Sequence, residues 1–485
     1  MRKADALKII DEKAQIFTDV SHRIWEYAEL SLLEYRSMEL YCQVLAENGF
    51  QVEKGLCGVP TAFSGSWGSG RPVIGIMGEF DALSGLSQKC GVPRHEELVS
   101  GGSGHGCGHN MLGAGSLAAA FAVKAYLEES GKPGTVIFFG CPGEEGGAGK
   151  AFMARDRAWE SLDAALTWHP SDFNRVTTGS NIACIQVEYK FTGIAAHAAG
   201  NPDQGRSALD AVQLMNIGVE FLREHMADSA RIHYAITDAG GNSPNVVQPA
   251  AQVLYMVRAP KVQEAMRLQA RVDKIAEAAA MMTETTLTRR FIDGTANTVS
   301  NARLERLLYE NFREIGTASY TPEEKAFAQA LVDSYEMKPD GTPVDELEEN
   351  LTPEEFEEAL AASDGGKAPI LDFLVPYYHS KKVEMGSTDV GDVSWLTPTA
   401  QIGTSCFAAG APGHSWQNVA IGATSVGDKG LLLAGKVLAA AAIDLFEDPG
   451  ILEEARAEFV KKTAEGYVCP IPPEAVPTPV GGKMQ

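Results

Sequence analysis

The sequence predicts an α/β protein: a helix-covered, largely parallel sheet interrupted by a smaller α+β unit. Three observations carry this. Short apolar runs that read as buried strands (72–78, 134–140 and 164–168) alternate with helix-patterned stretches, as expected of parallel strands joined by crossover helices. Each run ends in a cluster of polar residues, and the carboxyl ends of strands are where open α/β sheets place their chemistry. Near residue 182 the pattern changes to alternating strands, 185–191 and 252–258, around a helix with Leu209, Val212, Met215, Val219 and Leu222 on one face. Residues 1–181 and 297–485 are therefore expected to build the larger domain, with 182–296 inserted as an α+β unit.

The elements follow in order. Residues 4–48 carry apolar side chains at helical spacing, among them Ile16, Val20, Ile24 and Trp25, then Leu40, Cys42, Leu45 and Ala46, so helices open the chain. The first buried strand runs into Glu79, Phe80 and Asp81. A glycine-flanked segment follows, Gly104-His105-Gly106-Cys107-Gly108-His109-Asn110, and feeds an alanine-rich stretch, 115–124, that reads as a helix. The second strand delivers Glu144 and Glu145 into a glycine-bounded loop, and the third delivers His169. From 321 to 364 the chain is markedly acidic and reads as a solvated helical elaboration. The proline-rich stretch 470–479 cannot hold a regular helix and should be extended.

A chain of 485 residues exceeds one ordinary core, and an apolar fraction of 45% is ample for two. With 64 acidic against 41 basic residues, a formal charge of −23 and no Lys/Arg stripe, nucleic acid is excluded as a partner. The charged N-terminus lacks the apolar core of a signal peptide, and the longest apolar runs, near 117–126 and 430–445, contain lysines and read as buried helices. A cytoplasmic location without membrane association is expected. The eight cysteines show no framework spacing and read as reduced thiols.

Cys107 and His109, two residues apart on a glycine-flanked segment, can turn toward a common ion with little backbone strain. They leave most coordination positions empty, so other segments must complete the site. Three can do so: 142–147 with its two glutamates, 166–170 with His169, and 413–416 with His414. Of two adjacent glutamates, one can bind a metal while its neighbour stays free to take a proton from water, which makes Glu145 the ligand and Glu144 the base. Taken singly, a histidine is more readily structural and a glutamate pair a solvated turn; the combination argues for metal. Cys107, His109, Glu145, His169 and His414 exceed what one tetrahedral ion needs, and two ions sharing Cys107 would use them all. A third ligand from the same motif would crowd the site, so His105 is given a supporting or structural role. Asp81, Asp389 and Asp392 could orient ligating imidazoles, or cap helices and face solvent.

Four stretches carry a family resemblance: GHGCGHNML at 104–112, CPGEEGG at 141–147, AALTWHP at 164–170 and GIAAHAA at 193–199. With 206–212, 233–237, 243–248 and 387–395, they make the chain resemble the aminoacylase and carboxypeptidase type of di-metal amidohydrolase, of metallopeptidase clan MH. Within that group it resembles the branch whose ligands are carried by a Cys-Gly-His motif. The resemblance covers nearly the whole chain, 321–364 least. It implies a metal-binding α/β domain whose α+β insertion acts as lid and usually mediates dimerisation. It also implies two divalent ions, Mn or Zn, on Cys107, His109, Glu145, His169 and His414, with Glu144 as general base. His197 matches the histidine that reaches across a dimer to polarise the scissile carbonyl, and Asn245 would hold the substrate or its oxyanion. Arg258 could grip the substrate carboxylate through both oxygens, a task for which His233 competes. Trp168 and Trp416 could stack on an aromatic acyl group or pack around the metals. Asn110, where related enzymes often carry Asp, and Gly78-Glu79-Phe80-Asp81, where theirs is more basic, match the aminobenzoyl-glutamate branch.

The reaction this implies is hydrolysis of an acyl-amino acid amide, with p-aminobenzoyl-glutamate, a folate breakdown product, as leading substrate. A broader N-acyl-amino-acid or dipeptide hydrolase is the alternative. Two rivals differ in class: a cysteine amidase using Cys107 with His105 or His109, and a subunit that stabilises a partner but has little activity alone. The partner would be a second copy or a related subunit.

Overall fold

The computed structural model describes residues 1–337 and 341–479; the parts of the expected acidic elaboration and of the second larger-domain segment at 338–340 and 480–485 lie outside the described residues. Its strands are β1 (Gln51–Lys54), β2 (Phe63–Ser69), β3 (Val73–Glu79), β4 (Gly134–Cys141), β5 (Ala164–Ser171), β6 (Arg175–Thr177), β7 (Ser180–Asn181), β8 (Ala183–Thr192), β9 (Arg231–Asp238), β10 (Ala250–Ala259), β11 (Thr286–Thr295), β12 (Val383–Glu384) and β13 (Thr399–Ser405).

The main sheet has the order β1-β2-β4-β3-β5-β13-β6. Its four central strands, β4, β3, β5 and β13, are mutually parallel, and antiparallel strands close both edges. β3 is buried along almost its whole length, which is why it reads as an unbroken apolar run. Helices Lys3–Glu12, Ala14–Tyr27, Tyr35–Glu47, His109–Ser130 and Ser425–Glu447 share the core of this sheet. The last two cross closely. A Cβ on Gly115 would lie 2.8 Å from the Leu431 carbonyl oxygen, and one on Gly435 would lie 3.0 Å from that of Gly115, so only glycine permits the approach.

A second sheet, β11-β8-β10-β9, is antiparallel throughout. Every other residue of β10 is buried, the signature of a sheet with one covered face, and helices Ala208–Arg223 and Val262–Thr283 supply the cover. Val187, Tyr189, Val212, Met215, Tyr255 and Val272 form its separate core. β9, at the edge, is exposed at all but one residue.

The acidic segment is more than the solvated face expected. Helices Pro322–Asp333 and Pro353–Ala362 open with reciprocal capping boxes, Thr321 with Glu324 and Thr352 with Glu355, so part of the acidity serves helix N-termini. The segment's inner side is apolar: Val344, Leu347 and Ala359 pack with Leu371, Val375, Phe173 and Ala409. That seats the segment on the chain just beyond β5 and β13. Residues 470–479 carry neither helix nor strand. All eight cysteines are free, and no described helix is long and apolar enough to cross a membrane.

Candidate metal centre

Parallel strands end on one rim, and that rim gathers the polar residues. β3 ends at Glu79, with Asp81 just beyond; β4 leads into the loop carrying Glu144 and Glu145; His169 lies within β5; and His414 follows β13. Gly108 adopts a left-handed φ of +82° and turns the chain into the helix that His109 opens. A Cβ there would come within 2.8 Å of Met111 and 2.9 Å of Phe407. His414 also has a left-handed φ, +53°, which is strained for a residue with a side chain.

Two donor sets result, and they share one atom. Cys107, His109 and His169 form one; Cys107, Glu145 and His414 form the other; within each set the donor atoms lie within 4.8 Å of one another. The Cys107 Sγ is 3.4 Å from His169 Nε2, and His414 Nε2 is 3.5 Å from Glu145 Oε2. Each buried imidazole is held from behind. His109 Nδ1 donates to Asp81 Oδ1 at 2.9 Å and His169 Nδ1 to the Pro170 carbonyl at 2.7 Å, so both rings turn Nε2 toward the centre. Asp81 Oδ2 accepts from Ser31 Oγ at 2.6 Å and from the Glu145 amide at 2.9 Å, tying the glutamate loop to the same carboxylate.

The donor set fits a cation. His109 Nε2 and Glu145 Oε1 are buried without a hydrogen-bond partner. Around His109 Nε2 stand carboxylate oxygens of Glu79 at 3.3 Å, Glu145 at 3.9 Å and Glu144 at 4.0 Å. Lone pairs facing lone pairs in a buried space are stable with positive charge among them. Electrostatics agree. Burial, then the neighbouring Glu79 and Glu145, pushes the Glu144 carboxyl well above its ordinary range, and burial followed by Glu145 pushes the Cys107 thiol up. Burial opposes ionisation of Asp81, but its bond to His109 holds it at about 2. Burial, then His109, pulls His105 to about 4; its Nε2 donates to the Ile24 carbonyl at 3.0 Å, outside both donor sets.

The other expected site residues belong to the second sheet and its loops. His197 Nδ1 accepts from the amides of Ala199 at 3.2 Å and Gly200 at 3.0 Å, which leaves Nε2 as a donor. The Asn245 carbonyl accepts from the Ala198 amide at 3.0 Å, and His197 bridges to Val246, so these two loops are one structure. Arg258 donates to Ser387 Oγ at 3.0 Å, and His233 is exposed on β9. Among the described contacts none of these four residues bonds to the donor sets.

Two expectations about carboxylates are corrected. Asp389 orients no imidazole but pairs with Lys150, and Asp392 accepts from the Ala296 amide at 2.9 Å and the Tyr467 hydroxyl at 2.7 Å. Trp168 is fully buried with Nε1 bonded to the Leu112 carbonyl at 2.8 Å, a packing role; Trp416 is half-buried beside His95. Sequence reasoning missed Glu79 and Lys150. The available signals were a carboxylate closing a buried strand and a lysine directly after a glycine-rich loop.

Residues 75–359 match the model of Peptidase family M20/M25/M40. One of the subunits of p-aminobenzoyl-glutamate hydrolase from Escherichia coli is 43% identical, over 97% of this chain and 98% of its own. The Xaa-Arg dipeptidase of Mus musculus is 27% identical, over 96% and 93%. Among solved structures, a dinuclear metal binding peptidase of family M20 from Bacillus subtilis aligns with a TM-score of 0.53 at 16% identity, covering 90% of this chain and 99% of that one.

Proposed function

Because this chain belongs to peptidase family M20/M25/M40, we propose that it is a metal-dependent amidohydrolase that cleaves p-aminobenzoyl-glutamate to p-aminobenzoate and glutamate. The observation that carries the metal reading is the pair of donor sets meeting at Cys107. In this reading Cys107, His109 and His169 would hold one divalent ion, and Cys107, Glu145 and His414 the other, as manganese or zinc. When bound, the ions would supply Lewis acidity toward the amide carbonyl and toward water. Glu144, next to Glu145 in the loop and 4.0 Å from His109 Nε2, would take the proton of the attacking water and pass it to the leaving nitrogen. His197 is supported as a donor to the carbonyl oxygen because its Nδ1 is occupied as an acceptor and Nε2 is therefore the protonated nitrogen. Asn245 lies on the adjoining loop and would share that oxygen. Burial, then Glu145, pushes the Cys107 thiol up, which argues against a free thiolate nucleophile.

The four-stranded unit would serve as lid and dimerisation domain. In support, β9 leaves its backbone edge open, with Tyr234 and Ile236 exposed on it and Ile217 and Phe221 exposed on helix Ala208–Arg223. It would be covered by a second copy, or by a related chain of the kind implied by the name of the Escherichia coli relative. The mouse dipeptidase favours a second reading, a dipeptide hydrolase.

The deciding experiment is release of p-aminobenzoate by the purified chain, after chelation and after adding back manganese or zinc. Restored release supports the reading. Turnover of dipeptides but not of p-aminobenzoyl-glutamate would move it to the second, and release only with a related chain present would make this one the supporting partner.

A further inference from the structure

We infer that Glu79 belongs to the metal centre as a further carboxylate donor on the His109 side, and that Lys150 is the positioning residue that holds it there. The inference rests on the two-ion reading above. Glu79 closes β3 with its side chain almost wholly buried, and its two oxygens have separate tasks. Oε1 accepts from Lys150 Nζ at 2.8 Å, while Oε2 is turned to His109 Nε2, 3.3 Å away. Donor atoms of Glu79, His109 and Glu144 lie within 4.8 Å of one another, a third set that meets the first at His109.

The 3.3 Å approach is not a hydrogen bond. In the neutral ring that could hold a metal, the His109 proton is on Nδ1, committed to Asp81, and Nε2 has no hydrogen-bond partner. Two electron-pair donors therefore face each other. Their spacing is that of neighbouring ligands on one ion: with bonds of about 2.0–2.2 Å, the edge of a tetrahedron is roughly 3.3–3.6 Å.

Lys150 shows why Glu79 stays in place. Its side chain is fully buried in helix Gly149–Arg155, its Nζ contacts both Glu79 and Asp389, and its own amide donates to Asp389 Oδ2 at 2.8 Å. One aspartate, bonded to both nitrogens, already neutralises the lysine. Adding Glu79 gives three buried charges with a net charge of −1, and an uncompensated buried charge is strongly unfavourable. The excess negative charge lies at Glu79, whose free oxygen points to the donor sets. A bound cation completes the balance.

The test compares wild type, Glu79→Gln and Asp389→Asn after chelation, by calorimetric titration with Mn(II) and by visible absorption of the Co(II)-loaded proteins. Wild type should take up two ions. Glu79→Gln should weaken one of them by about tenfold or more and alter the Co(II) spectrum, with the other ion unchanged. Asp389→Asn, which frees Lys150 but leaves Glu79 intact, should weaken the same ion to a smaller extent. Wild-type affinities and spectrum in Glu79→Gln would overturn the inference while leaving the two-ion reading standing; failure of wild type to bind two ions would overturn that reading itself. If Glu79→Gln does not fold, Glu79→Asp keeps the charge for Lys150 but shortens the reach. Loss of the same ion in that variant supports the inference, and unchanged binding assigns Glu79 to the fold alone.

Discussion

Replacing Cys107 by alanine should affect both ions, because its sulfur is the only atom common to the two donor sets. Each set would be left with two of its three donors. Losing a group that merely supports a metal ligand costs about 10- to 100-fold in affinity, so losing a donor should cost at least about 100-fold, or roughly 3 kcal/mol, at each ion. His169→Ala removes a donor from one set and His414→Ala from the other, so each should weaken a single ion by that amount. Calorimetric titration of the chelated proteins with Mn(II) reads the pattern directly: two ions weakened in Cys107→Ala, one in each histidine variant, and a different one in each. The variant should be alanine, since a serine oxygen could itself coordinate. The reasoning fails if Cys107→Ala binds both ions normally or loses only one, because the sulfur would then not be shared.

Glu144→Gln should keep both ions and lose roughly a hundredfold to ten-thousandfold in turnover, read by metal content and kcat together. If His197 acts across a dimer, mixing inactive His197→Ala and Glu144→Gln protomers should restore roughly a quarter of wild-type activity, because half the dimers are mixed and each has one intact site; no recovery would assign His197 to its own protomer's site. Asp293 is buried near Asp389, and burial followed by that charge raises its carboxyl to about 7. The folded state thus holds a proton the unfolded state releases near pH 4; the stability this contributes is complete below that pH and lost as pH rises through 7, up to roughly 4 kcal/mol. Denaturant unfolding at pH 5 and pH 8 should show a smaller loss in Asp293→Asn than in wild type, and parallel losses would refute the assignment.

The main sheet is legible in the sequence because its central strands are buried on both faces and read as apolar runs. The run at 164–168 stops short of β5, which continues through His169, Pro170 and Ser171 because pairing with β13 holds it extended. Helix His109–Ser130 likewise starts before the alanine-rich stretch: Asn110 is polar yet buried, bonding to Ser21, so local pattern hides the first turns. The five donors stand out because histidine, cysteine and paired glutamate beside glycine or proline are uncommon at strand ends. Glu79 and Lys150 do not stand out. A buried ion pair looks like two surface charges until the fold brings residues 79, 150 and 389 together.

The two donor sets differ in depth. His109 is sealed at 0% side-chain exposure, whereas His414 is 56% exposed on its left-handed turn. Ion exchange should therefore be kinetically uneven. On the two-ion reading the His414 position would trade its occupant with the medium, while the His109 position would release its own only when the surrounding structure opens. Two phases of metal loss to a chelator should result, with the slow one accelerated by mild denaturant and the fast one indifferent to it. A preparation would then carry a record of its handling, the deep ion reporting the metal present at folding and the shallow ion the last buffer used.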